Sequence, residues 1–120
     1  MMQENVLKDK TFRLAVRIVK LYRHLCDTKK EYVLSKQVLR SGTSVGAMIR
    51  EAEYSESKAD FVHKMAIAQK EINETLYWLE LMHETKYLST KEFDSINADA
   101  VEIIKLITAS IKTVKKTIKK

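Results

Sequence analysis

The chain has 120 residues, with 22 Lys or Arg against 16 Asp or Glu for a net charge of +6, two glycines, one cysteine and no proline. That length suits one domain with a real core, and 45% hydrophobic with 32% charged residues suits long helices joined by short loops. A single cysteine excludes an internal disulfide and a cysteine zinc site, and no apolar run approaches the roughly 20 residues of a membrane span. The N-terminus lacks the basic segment and apolar run of a secretion signal, so a soluble, cytoplasmic protein is expected.

The first helix is predicted over about 5–27, with Asn5 as its N-cap. Leu7, Leu14, Ile18, Leu21 and Leu25 form one seam, and Phe12, Ala15, Val19, Tyr22 and Cys26 form a second beside it. Two seams make the wide apolar face of a helix covered on two sides. The opposite face carries Arg13, Arg17, Lys20 and His24 at spacings of four, three and four, with Lys10 and Arg23 nearby. Such a stripe suits either a solvated surface or contact with nucleic-acid phosphates.

The second helix is expected over about 35–53, with Ser35 as its N-cap. It holds both glycines, Gly42 and Gly46, one turn apart among Ser41, Ser44 and Ala47. Each glycine should cost an isolated helix about 1 kcal/mol, and close approach of another backbone is the expected return. A glycine-lined ligand groove is the alternative. A phosphate loop is excluded, because no strand precedes the glycines and no Gly-Lys-Ser/Thr ends the run. Arg40 and Glu51 lie eleven residues apart and share a face, where Glu71 or Glu74 is the expected partner of Arg40.

The third helix is predicted over about 58–85, begun by Ser57 with Asp60 in a variant capping box. Its seam runs Phe61, Met65, Ala68, Ile72, Leu76, Leu79 and Met82, and the cluster at its end exceeds one buried stripe. Tyr77 or Trp78 therefore lies either at a subunit interface or in the core. The fourth helix, over about 90–119, starts with the full capping box Ser89-Thr90-Lys91-Glu92. Its apolar face includes Phe93, Ile96, Ile103 and Ile107, and Lys105, Lys112, Lys115, Lys116, Lys119 and Lys120 follow with no acid after Glu102.

Four amphipathic helices with short loops predict an all-α, antiparallel up-down-up-down four-helix bundle in a single domain, 1–120. Catalytic and metal constellations are not found. His24, His63 and His83 fall on different helices, no Glu-x-x-His pair occurs, and no nucleophile elbow precedes Ser41 or Ser44. A non-enzymatic protein without cofactor or metal is expected.

The run from Leu34-Ser35-Lys36-Gln37-Val38-Leu39-Arg40-Ser41-Gly42-Thr43-Ser44-Val45-Gly46-Ala47, with Ile49-Arg50-Glu51-Ala52, resembles the family of ribosomal-RNA intervening-sequence proteins. The likeness continues through Ser57-Lys58-Ala59-Asp60-Phe61, Ile67-Ala68-Gln69-Lys70-Glu71 and Glu74-Thr75-Leu76-Tyr77-Trp78-Leu79. Met48 departs from the pattern, which usually has asparagine there. The resemblance implies a four-helix bundle assembled as a homopentamer with a central channel. It also implies kinship with the accessory variability protein of diversity-generating retroelements, which binds nucleic acid and docks a reverse transcriptase.

Five +6 chains would carry +30, enough to attract RNA or DNA without sequence preference. The expected function is a non-catalytic oligomeric nucleic-acid-binding accessory protein. Its phosphate contacts are expected from Arg13, Arg17, Lys20 and Arg23 on the first helix and Lys105, Lys112, Lys116 and Lys119 on the fourth. Arg40, Gly42, Ser44, Gly46, Glu51, Tyr77 and Trp78 form the expected structural motif and interface. The alternative is a protein-interaction scaffold, for example one that docks a reverse transcriptase.

Overall fold

The computed structural model describes the backbone of residues 2–118 and the side chains of residues 6–118. Helix α1 spans Met2–Asp27, α2 Leu34–Ala52, α3 Lys58–Glu84 and α4 Thr90–Ile118. The first helix thus begins three residues before the predicted start at Asn5, which lies inside it. Each helix packs on the next in chain order and α4 packs back on α1, while diagonally opposite helices do not touch backbone to backbone. The result is a 52 × 21 × 20 Å body around one core drawn from all four helices.

Leu7, Leu14, Ile18 and Leu25 are buried on α1, so its first seam faces the core. The second seam turns outward: Phe12 is 54% exposed, and Ala15, Val19, Tyr22 and Cys26 are half-buried. Contacts along the α1–α2 pair pass from Lys8 with Glu53 at one end to Cys26 beside Ser35 at the other. Along the α1–α4 pair, Lys10 meets Glu102 and Arg17 meets Asp99.

Helix starts follow the local chemistry in two cases and depart from it in one. Ser89 Oγ accepts from the Glu92 N–H at 3.1 Å, and the Glu92 carboxylate accepts from the Ser89 N–H at 2.9 Å. That reciprocal box satisfies two N–H groups at the start of α4. Ser57 accepts from the Asp60 N–H at 3.0 Å, while the Asp60 carboxylate takes the Glu56 N–H at 3.1 Å. Ser35 does not cap α2. The buried Glu31 carboxylate does so, accepting from the N–H groups of Val33 at 3.0 Å, Leu34 at 2.5 Å and Ser35 at 3.2 Å. Ser35 instead donates its hydroxyl to the Glu31 carbonyl at 2.9 Å. Lys30, with φ 55°, turns the chain so that Glu31 can fold back over the helix start.

The α3–α4 turn uses Lys86 at φ 72° where helix ends favour glycine. The Lys86 N–H donates to the His83 carbonyl at 3.1 Å and the Tyr87 N–H to the Met82 carbonyl at 2.9 Å. Leu88 then closes that end of the core, and the His83 ring stacks on Phe93 with centroids 4.5 Å apart.

Candidate nucleic-acid interface

The basic stripe of α1 is not a free row of cations. The Arg13 Nε lies 3.1 Å from Asp9 one turn back. Arg17 reaches Asp99 on α4 at 2.6 Å and the Ser95 hydroxyl at 2.9 Å, and Lys10 reaches Glu102 at 3.0 Å. Lys20 and Arg23, nearer the end of α1, are exposed and make no ion pair among the described residues. The expected stripe therefore divides into a neutralised part and a short free part.

Helix α4 differs. Lys105, Lys112, Lys115 and Lys116 are exposed and make no ion pair among the described residues. Lys105, Lys112 and Lys116 fall on one face, covering about 17 Å of axis at a 1.5 Å rise. Beside them lies a groove of about 370 Å³ lined by Ile104, Lys105, Thr108, Ala109 and Lys112. Thr108 is held in that groove, donating to the Ile104 carbonyl at 2.8 Å and accepting from the Gln69 amide at 2.9 Å. Lys115 and Lys116 in the last turn also complement the carbonyl end of the helix dipole. Lys119 lies outside the described residues.

The expected interface residues separate into two groups. Gly42 and Gly46 face α1: a Cβ on Gly42 would stand 2.8 Å from Ile18 Cγ1, and one on Gly46 would stand 3.4 Å from the Thr11 carbonyl oxygen. Across the α2–α3 seam, Arg40 pairs with Glu71 at 2.9 Å and with Glu74. The Trp78 indole N–H also donates to Glu74 at 3.1 Å, so that carboxyl titrates below its usual range, held first by Trp78 and then by Arg40. Ser44 Oγ donates to the Arg40 carbonyl at 2.6 Å. Beneath them, Thr75 Oγ1 lies 2.9 Å from Ser41 Oγ in a buried pair. Glu51 is exposed and stands outside the Arg40 cluster. Trp78 is half-buried, whereas Tyr77 is 58% exposed and meets the Trp78 ring edge-on at 5.0 Å.

Sequence reasoning missed Asp99, Ser95 and Glu102 as partners of the α1 cations, since nothing local links positions about 80 residues apart. It also missed Tyr54, 82% exposed in the α2–α3 connection, and the Arg50 guanidinium 5.3 Å over the Phe12 ring. Among the described residues, no group of three or more His, Cys, Asp or Glu is placed to hold a metal ion. No helix among them is long and apolar enough to cross a membrane.

Residues 3–109 match the family described as 23S rRNA-intervening sequence protein. A crystal structure of a protein of unknown function from the S23 ribosomal protein family of Bacteroides thetaiotaomicron is 55% identical. It superimposes with a TM-score of 0.90, covering 92% of this chain and 98% of that one. No functionally curated protein matches. With residues 3–109 matched, and the capping box and Arg40 cluster falling within that span, the protein belongs to the 23S rRNA-intervening sequence protein family.

Proposed function

We propose that this chain is a non-catalytic nucleic-acid-binding accessory protein that acts as a homo-oligomer, five copies in our reading. Each copy is an antiparallel up-down-up-down bundle, a direction supported by the end-to-end order of the α1–α2 and α1–α4 contacts. Its principal phosphate contacts come from Lys105, Lys112 and Lys116 on α4, with Lys20 and Arg23 contributing from α1. The observation that carries this reading is the row of exposed α4 lysines without an ion pair among the described residues. Free cations can exchange small counterions for phosphates, whereas paired ones must first lose a partner. Few aromatic rings lie among these lysines, so backbone contact without base reading is the expected mode.

The test is Lys105→Gln/Lys112→Gln/Lys116→Gln against duplex RNA and duplex DNA in a salt series. Binding should weaken uniformly across sequences, and the slope of log affinity against log salt should flatten by about one per lysine removed. Unchanged affinity and slope would overturn the α4 assignment.

A second reading is favoured by the exposed aromatics Tyr54 and Tyr77. Such rings concentrate binding energy in protein interfaces, and the chain would then be a scaffold for a protein partner such as a reverse transcriptase. Kinship with the accessory variability protein of diversity-generating retroelements belongs with this reading. Capture of a reverse transcriptase that survives nuclease treatment and is lost in Tyr77→Ala would support it over the first.

A further inference from the structure

The outer edge of the α1–α4 seam carries ion pairs, Lys10 with Glu102 and Arg17 with Asp99, over the shared apolar core. Beside them is a groove of about 180 Å³ lined by Asp9, Lys10, Arg13, Asp99, Glu102 and Ile103. Three cations on α1 cover about 10 Å of helix axis. Three carboxylates meet them: Asp9 on Arg13 at 3.1 Å, Glu102 on Lys10 at 3.0 Å, and Asp99 on Arg17 at 2.6 Å. Ser95 adds its hydroxyl to Arg17 at 2.9 Å and its carbonyl at 3.3 Å. The Arg17 guanidinium thus meets three oxygen acceptors, two on Nη1 and one on Nη2, and charge-assisted bonds of this kind are ones a phosphate oxygen can also accept.

We propose that this seam is a latent second phosphate-backbone site, closed in the free protein by Asp99 and Glu102 standing where nucleic-acid phosphates would sit. The proposal rests on the nucleic-acid reading above. The α4 lysines make the first contact. Lys10 and Arg17 join only when phosphates displace the two α4 carboxylates. Displacement is feasible because every member of these pairs is substantially solvent-exposed, and exposed ion pairs are weak and salt-screened. A polyanion brings many charges at once, so it competes with single carboxylates on favourable terms.

The experiment compares Asp99→Asn/Glu102→Gln with Glu80→Gln/Glu84→Gln, which makes the same change in net charge on α3, away from the seam. Both are titrated with a duplex RNA probe between 200 and 50 mM salt, alongside wild type. Unmasking two cations should steepen the salt slope by about two relative to the control, roughly a tenfold gain over that range. Equal slopes for the two variants would overturn the proposal. A second variant, Lys10→Gln/Arg17→Gln, guards against a folding effect. Masked cations predict affinity within about twofold of wild type at 200 mM salt, where the polyanion competes least well for them, and a large loss there would also overturn the proposal. If wild type fails to bind while the Asp99/Glu102 variant binds, the masking stands and the α4 assignment falls. If wild type binds and the two charge-matched variants agree, the masking falls and the nucleic-acid reading stands. Absence of binding by every variant overturns both.

Discussion

Gly42 and Gly46 sit one turn apart on α2, yet they meet α1 in different ways. At Gly42 a methyl group would press into Ile18, a fully buried β-branched side chain with little freedom to move. At Gly46 the nearest atom is the Thr11 carbonyl oxygen at 3.4 Å, an ordinary contact. Gly42→Ala should therefore destabilise the protein by about 1–3 kcal/mol through overpacking, even after its gain in helix propensity. Gly46→Ala should be neutral or stabilise by up to about 1 kcal/mol. Urea denaturation of the two variants distinguishes them, and equal losses would contradict this division. The sequence marks both glycines as a close approach but cannot rank them, because the ranking depends on which α1 side chain lies opposite.

Among the elements, helix starts carry the clearest electrostatic signature. Glu92 titrates below its ordinary 4.5, held by the Ser89 N–H and then by the Ser89 hydroxyl. Asp60 falls below its ordinary 3.8, through the Glu56 N–H and then Lys64. A lowered folded-state pKa contributes stability that is fully present above the unfolded value and lost as pH falls through the folded one. The protein should therefore lose stability on acidification below about pH 5, and these caps should account for part of that loss. Glu92→Gln keeps the box geometry but not the charge. It should cost about 0.5 kcal/mol near neutrality, and the gap to wild type should close toward pH 3, as thermal unfolding across pH would record. A gap that widened on acidification would contradict the assignment.

The Ser89–Glu92 box is legible in four consecutive residues because its chemistry is local. The cap of α2 is not legible in this way. Ser35 is the better residue type for that role, but the left-handed turn at Lys30 lets Glu31 reach the same N–H groups first. Position along the chain decides the first case, and the path of the backbone decides the second. Arg40 with Glu71 and Glu74 is an intermediate case: adjacent helices and shared faces were enough to name the partners, but not to show that Glu51 stands apart.

For the whole molecule, the net charge of +6 conceals an uneven distribution. Lys8, Lys10, Arg13 and Arg17 of α1 are tied to carboxylates one turn away, at the end of α2 or across the α4 seam, while the second half of α4 holds four exposed lysines outside any ion pair among the described residues. A one-dimensional reading gives the two stripes equal standing, since Asp99 and Glu102 are remote from α1 in sequence and adjacent only after folding. If nucleic acid is the ligand, affinity should follow the free charge on α4 rather than the total.

The most direct measurement is binding of duplex RNA and duplex DNA to the unaltered protein across a salt series, on particles whose mass is fixed by light scattering. We predict a particle of about five times the 13.9 kDa chain, with log affinity falling steeply and linearly with log salt for both duplexes. A single-chain mass with no binding at 50 mM salt would contradict the oligomeric nucleic-acid reading and turn attention to Tyr54 and Tyr77 as the surface that meets a protein partner.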